Sequence, residues 1–189
     1  MLQGDPEVKR HTFTAQEYRA MGDAGVLGED DRVELLGGEV VDMAPIGSRH
    51  LACVVALTHL LVEASGGRWF VSAQNPVRLS GRDEPQPDLA LLGRRPDPAA
   101  PTPPGPEELL LVVEVSDTTL AYDRNVKLPL YSRAGIREAW IVDLPGRRVE
   151  VHSEPGAGGY RDVQAFGPEE AIVSVALGGV SLPVDEVLG

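Results

Sequence analysis

The chain has 189 residues, of which 42% are apolar, enough to close one hydrophobic core, so we expect a single domain over residues 1–189. Acidic side chains outnumber basic ones 29 to 17, and the net charge of −12 argues against a protein that coats nucleic acid through charge alone. No stretch approaches the roughly 20 consecutive apolar residues of a membrane-spanning helix, and the first residues lack a signal-peptide core, so we expect a cytoplasmic protein without membrane contact.

The amino-terminal part predicts a flexible leader, a short helix and a hairpin. Residues 1–12 are polar and form the predicted leader. Thr14 and Glu17 match a capping box, which predicts a helix that ends near Met21. The apolar segments on either side of Gly37–Gly38 predict two strands joined by a tight turn, because glycine readily adopts the positive φ angles of such turns.

An apolar run with helical spacing follows over residues 48–65 and is expected to pack in the core. The positions that set this spacing are Leu51, Val54, Val55, Leu57, Leu61 and Val62. Cys53, the only cysteine, lies in the same run, so it is interpreted as a small buried side chain and not as a catalytic thiol.

Three further strands are predicted between residues 68 and 116. RWFVSAQNPVRL at 68–79 predicts one long or bulged strand, and QPDLALL at 86–92 predicts a second. LLLVVEVS at 109–116 predicts a central strand, because its nearly unbroken apolar character indicates burial on both faces. Prolines recur from 96 to 106 and predict a surface loop.

The last third predicts a helix and several strands. The helix is expected from about Asp123 to Ala134, with Pro129 kinking or delaying it. EAWIVDL at 138–144 and RRVEVHSE at 147–154 predict a second hairpin, and residues 159–167 and 171–188 predict short terminal strands.

Two carboxylates occupy positions that are costly for a charge. Asp88 opens the predicted strand PDLALL, and Glu114 lies between valines inside the predicted central strand. A buried carboxylate survives by pairing, by hydrogen bonding or by binding a metal ion. Oxygen ligands suit Mg²⁺ or Mn²⁺ better than zinc. Lys127 is the only lysine of the chain besides Lys9 in the leader, which makes it the candidate cation of such a site.

The four histidines do not have the spacing of a zinc site. They are His11, His50, His59 and His152. His50, at the start of the first long predicted helix, has two open interpretations: contact with a phosphate or substrate, or a capping or solvent-facing role.

The arrangement of Pro87-Asp88, Glu114 and a downstream lysine resembles the PD-(D/E)XK nuclease superfamily, and within it the Uma-two family of restriction-endonuclease-like proteins. The matching residues are Val33-Glu34-Leu35-Leu36, Gly38-Glu39, His50, Gln86-Pro87-Asp88, Val113-Glu114-Val115, Asp123-Arg124, Lys127, Tyr131, Gly135 and Glu138-Ala139-Trp140. The resemblance implies an α/β fold in which helices flank a mixed central β-sheet of the restriction-endonuclease type, with an additional β-hairpin.

The resemblance also implies a function, a metal-dependent nuclease that hydrolyses phosphodiester bonds of DNA. Separately, we expect a homo-oligomer, most simply a homodimer, and the same assembly for a competing module of this fold without hydrolysis. Asp88 and Glu114 would bind Mg²⁺ or Mn²⁺, and Lys127 would orient or deprotonate the attacking water. Glu34 is the expected supporting acid, with Glu39 nearly as plausible. Arg124 is the alternative to Lys127 as the charged group.

One departure from the superfamily pattern supports a competing hypothesis. The position two residues after Glu114 is Ser116 and not lysine, so the lysine of the resemblance is Lys127 on the following helix. The competing hypothesis is a nuclease-like binding or structural module without hydrolysis, in which Glu114 and Lys127 form a structural ion pair.

For the nuclease hypothesis, six basic residues between 124 and 148 are the candidate approach face for DNA.

Overall fold

The strands form one six-stranded sheet and two separate hairpins in this computed structural model, which describes residues 10–28, 30–94, 96–97 and 99–189. The first hairpin pairs β1 (Val33–Leu36) with β2 (Glu39–Asp42). The sheet contains β3 (Phe70–Ala73), β4 (Leu89–Leu92), β5 (Leu109–Ser116), β6 (Glu138–Asp143), β7 (Arg148–Ser153) and β8 (Asp162–Phe166), side by side in that order. The last hairpin pairs β9 (Ala171–Ser174) with β10 (Val180–Pro183).

The sheet is mixed, as the family resemblance implies. β5 and β6 run parallel, and every other neighbouring pair in the sheet is antiparallel. β5 lies inside the sheet and is almost entirely buried, which confirms its predicted central position. The predicted hairpin is also formed, and its turn residues Gly37 and Gly38 have φ angles of 59° and 81°.

Helices cover both faces of the sheet. The helices of the described residues are α1 (Ala15–Asp23), α2 (Ser48–Ser65), α3 (Leu120–Tyr122), α4 (Leu128–Arg133) and α5 (Val184–Leu188), and a wider π-helical turn (Asp123–Lys127) joins α3 to α4. α2 and α5 pack on one face through residues such as Leu57 and Val187, whereas α4 packs on the other through Leu128 and Tyr131. Within the described ranges, no helix is long and apolar enough to cross a membrane.

The predicted capping box at the start of α1 is present. The Glu17 amide donates to Thr14 Oγ1 over 3.2 Å, and the Thr14 amide donates to a Glu17 carboxylate oxygen over 2.8 Å. Of the predicted leader, residues 1–9 lie outside the described residues. Thr12 lies against the hairpin, where Arg82 donates a hydrogen bond to its hydroxyl.

Three local predictions are wrong. Leu51, Val55 and Val62 are more than half exposed, because the sheet and α5 cover only one side of α2. The strand predicted over 68–79 ends at Ala73, because Gln74 adopts a φ of 52° and donates its amide to the Asp88 carbonyl. The carboxyl-terminal segment ends as the helix α5 and not as a strand, with its apolar side against α2.

Pro129 affects the helix before it, as the sequence predicts. The Leu128 amide donates to the Asp123 carbonyl, five residues back, which defines the wider π-turn. Pro129 has no N–H to donate, and its ring would clash with the carbonyl four residues earlier in a regular helix. A wide turn directly before the proline accommodates both effects.

Candidate active site

The four residues singled out from the sequence line one cleft of about 250 Å³. Glu34 comes from β1, Asp88 from the residue before β4, Glu114 from β5 and Lys127 from the end of the π-turn. Four separate elements therefore bring their side chains to one place, where the hairpin, the sheet and the helical layer meet.

The pleat of β5 determines where Glu114 points. Val113 and Val115 belong to the core under α2, so Glu114 faces the opposite side, toward the π-turn and α4. The β4–β5 ladder pairs Leu89 with Val113, which places Asp88 beside Glu114 just past the end of the ladder. The Val115 amide donates to Asp88 Oδ2 over 2.8 Å and fixes that carboxylate.

Lys127 bridges two carboxylates. Its Nζ lies 3.2 Å from Glu34 Oε2 and 3.2 Å from Glu114 Oε1, and it donates to the Gln86 carbonyl over 3.4 Å. Its side chain is 5% exposed. Glu39, the alternative to Glu34, is 57% exposed and pairs with Arg10 at 3.6 Å, so the structure places Glu34 and not Glu39 at Lys127.

His50 holds Asp88 from the α2 side. His50 Nε2 lies 2.8 Å from Asp88 Oδ1, so each Asp88 oxygen has a protein partner. The hydrogen bond to Asp88 raises the pKa of His50, while partial burial opposes the rise. His50 lines the cleft and contacts Asp88, so it is not a solvent-facing residue; contact with a phosphate or substrate stays a prediction.

Further side chains of the π-turn and α4 complete the site; Asp123 and Tyr131 are among the residues that match the family, but the sequence assigned them no role. The Tyr131 hydroxyl donates to Glu114. Asp123 accepts hydrogen bonds from Ser116 Oγ over 2.7 Å and from Thr119 Oγ1 over 2.6 Å. The spacing of four from Asp123 to Lys127 to Tyr131 was the available signal, because such residues share a helix face.

Tyr122 and Gln86 support Glu34 in the same way. The Tyr122 hydroxyl donates to Glu34 Oε1 over 3.1 Å, and the Gln86 amide donates to Glu34 Oε2 over 3.0 Å. Both oxygens of this buried carboxylate therefore have donors besides Lys127, and Glu34 is fixed although it comes from a separate hairpin.

The inner site carries more negative than positive charge. Burial raises the pKa of Glu114 well above its usual value; Lys127 opposes this rise, while Asp123 and Asp88 add to it. Burial would lower the pKa of Lys127, but Glu114, Glu34 and Asp123 outweigh burial and raise it. Lys127 is therefore a stable ammonium.

Arg124, the alternative to Lys127, lies elsewhere. It forms a two-pronged ion pair with Glu150 on β7. Within the window 124–148, Arg124, Lys127, Arg147 and Arg148 all lie within 4 Å of carboxylate oxygens. Most of the basic residues of the candidate DNA face are thus neutralised within the protein.

The donor atoms fit a hard divalent cation of the magnesium type. Asp88 and Glu114 offer carboxylate oxygens to the same cleft. No three histidine, cysteine or acidic side chains in the described part of the chain form a ready metal cage. Magnesium commonly takes one or two carboxylates and completes its shell with water and substrate phosphate.

The mixed sheet with flanking helices defines a nuclease-type fold. It matches the crystal structure of "a putative nuclease belonging to DUF820" from Anabaena variabilis ATCC 29413 with a TM-score of 0.70 and 13% identity, covering 93% of this chain and 97% of that chain. The chain belongs to the Uma2 family, described as "Putative restriction endonuclease", whose model matches residues 15–185. The resemblance and the expected fold are confirmed. No curated protein matches the sequence significantly.

Proposed function

We propose that the protein is a metal-dependent nuclease that hydrolyses phosphodiester bonds of DNA in the cleft between β1, β5 and the π-turn. Family membership and fold support the nuclease class. The observation that carries the proposal is the position of Lys127, whose ammonium lies 3.2 Å from both Glu34 and Glu114 in the cleft that Asp88 also lines.

Lys127 acts as a fixed positive charge in this proposal. Its raised pKa makes it a poor proton acceptor, so of the two expected roles we assign orientation of water and substrate, not deprotonation. An ammonium held in place by two carboxylates can offset the negative charge that develops on a phosphoryl group without reorganising. Removing this charge should therefore lower the rate more than the affinity.

Asp88 and Glu114 would hold Mg²⁺ or Mn²⁺. When bound, the ion would polarise the phosphodiester and lower the pKa of an attacking water. The charges of the cleft support a role for this ion, because six carboxylates line the cleft, whereas the arginine and lysine residues among its described lining are Arg32 and Lys127. Phosphates would be repelled from such a lining unless divalent cations neutralised part of it. His50 would hold Asp88 in orientation.

The test is a cleavage assay on single-stranded and duplex DNA with Mg²⁺, Mn²⁺ or EDTA. The expected result is cleavage that depends on the divalent ion and falls at least about a hundredfold in Asp88→Asn and Glu34→Gln. Glu39→Gln is the matched control, since it removes an exposed carboxylate from the same hairpin and should retain full activity. Equal cleavage in EDTA, or loss of activity in the control variant alone, would contradict the proposal.

The second candidate function is a nuclease-like binding module without hydrolysis. The tight enclosure of Lys127, which is 5% exposed, favours it, because a structural ion pair explains the same contacts. This candidate predicts DNA binding with no cleavage in any divalent ion. A wild-type protein that shifts DNA in a gel-shift assay but does not cleave it in any divalent ion would establish this second candidate.

We also propose a homodimer that works in the cytoplasm. The exposed apolar stripe of α2, Leu51, Val55 and Val62, is 53%, 60% and 52% accessible and supports an interface at this face. Light scattering should give twice the chain mass of 20.2 kDa. Val55→Glu should then convert the protein to a monomer, whereas a monomeric wild-type protein would refute the dimer.

A further inference from the structure

The π-turn is attached to the sheet at three points. Asp123 accepts a hydrogen bond from Ser116 at the end of β5, and the other two points lie in one row across the strands. The ladders pair Glu114 of β5 with Ile141 of β6, and Ile141 with Glu150 of β7. Glu114 and Glu150 are therefore two strands apart in the same register and lie on the same sheet face. Lys127 contacts the first carboxylate and Arg124 contacts the second, from opposite parts of one five-residue turn.

The Arg124 contact is the more directional of the two. Arg124 Nε donates to Glu150 Oε2 over 3.0 Å, and its Nη2 donates to the other oxygen of the same carboxylate. Arg124 Nη2 also lies 3.8 Å from Asp143 Oδ2, and Arg148 Nε donates to that oxygen over 3.1 Å. A planar guanidinium bound by both prongs fixes the backbone that carries it better than a single ammonium contact does.

The turn needs such an attachment. π-helical hydrogen bonding is rare and limited to short segments, the preceding helix α3 has only three residues, and Pro129 removes a backbone donor just after the turn. The local backbone thus contributes little to its own rigidity. A lysine side chain also has many rotamers, so the place of its ammonium depends on where the turn is held.

We infer that the Arg124–Glu150 pair is a positioning device that sets where the Lys127 ammonium lies over Glu114. Arg124 does not line the cleft, so it acts through the turn and not on a substrate. The expected effect on DNA cleavage rests on the proposed function, whereas the effect on the position of the Lys127 ammonium does not. The competing interpretation is an ion pair that only adds stability.

Lys127 offers a readout that needs no activity. Lys9 is the only other lysine, so in a Lys9→Arg background every acylated lysine found by peptide mapping is Lys127. We expect acylation at fixed pH to be about tenfold faster in Arg124→Gln and in Glu150→Gln. The double variant should be no faster than the faster single variant, because the two residues act as one unit.

Two controls separate positioning from stability. Arg133→Gln removes an exposed arginine from α4 and should leave the acylation rate unchanged. Leu57→Ala lowers stability from the opposite face of the sheet and, well below its unfolding temperature, should also leave it unchanged. If Arg124→Gln does not fold, Arg124→Lys, which keeps the charge without the two-pronged geometry, should give an intermediate rate at Lys127. Fragmentation of the acylated peptide then separates Lys127 from the lysine introduced by the substitution. A rate in the Arg124 variants equal to that of Arg133→Gln would overturn the inference.

Cleavage kinetics supply the second arm. If the wild-type protein cleaves DNA, Arg124→Gln should lower kcat about tenfold and change KM less than twofold, because a displaced lysine affects the transition state more than binding. Unchanged kcat together with faster acylation would overturn the link to catalysis. If the wild-type protein does not cleave DNA, the proposed function fails, and the acylation rates still decide whether Arg124 positions Lys127.

Discussion

Replacing Lys127 by methionine removes one charge from the centre of the site while nearly keeping its volume. Two buried carboxylates, Glu34 and Glu114, would lose their common cation. Breaking a buried ion pair by removing one partner costs about 3–5 kcal/mol. The hydroxyl donors Tyr122 and Tyr131 remain on the two carboxylates, so we expect about 3 kcal/mol, near the lower limit of that range. For a chain of this length, that loss lowers Tm by roughly 6–12 °C.

The assay is urea and thermal unfolding in EDTA at several pH values. In Lys127→Met, Glu114 loses the cation that opposes the effect of burial, so the pKa of Glu114 lies above that of the unfolded chain and the folded state binds more protons. Stability of the variant should therefore fall as pH rises from about 4 to 7, and its deficit relative to wild type should be largest near pH 7. Arg133→Met is the control and should change stability by less than about 0.5 kcal/mol. A Lys127→Met deficit below 1 kcal/mol, or one independent of pH, would refute the reasoning.

Three further predictions concern His50, Glu114 and Gly38. Because Asp88 raises the pKa of His50, its stabilising effect is complete below the unfolded pKa of about 6.5 and is lost as pH rises through the folded pKa. His50→Asn should therefore lose more stability at pH 6 than at pH 9 in urea unfolding with EDTA; an equal loss would contradict this. Glu114→Gln should lose the Mg²⁺-induced rise in Tm; an undiminished rise would contradict its role as a ligand. Gly38→Ala places a Cβ 2.9 Å from a carbonyl oxygen at a φ of 81°, so it should lower the free energy of unfolding by about 1–3 kcal/mol. Gly22→Ala, where the new Cβ meets open space, should not destabilise the protein. Equal Tm values for the two variants would contradict this prediction.

The sequence predicts much of this architecture because its local signals are strong. Paired glycines at 37–38 indicate a tight turn, and the valines around Glu114 mark a charge inside a buried strand. The chain is rich in arginine and has only Lys127 as a lysine besides Lys9, which points to Lys127. Each of these conclusions depends on residues that are neighbours in the chain, where spacing and composition act directly on local structure.

The remaining features depend on contacts between distant segments. His50 meets Asp88 across 38 residues, and that meeting follows from sheet order and helix placement, which spacing does not encode. Helical periodicity identified Leu51 and Val55 as core residues, although the fold covers only one side of α2. Gln74 ends β3 with a positive φ, and because the residue is not a glycine, the sequence contains no sign of this conformation.

The central claim is that Asp88 and Glu114 hold a divalent cation beside Lys127. Anomalous diffraction from a crystal soaked in Mn²⁺ tests it most directly. We predict one strong peak about 2.0–2.3 Å from a carboxylate oxygen of both residues, and its loss in Asp88→Asn. A soaked crystal with no peak in this cleft, or with its peak on other residues, would contradict the account.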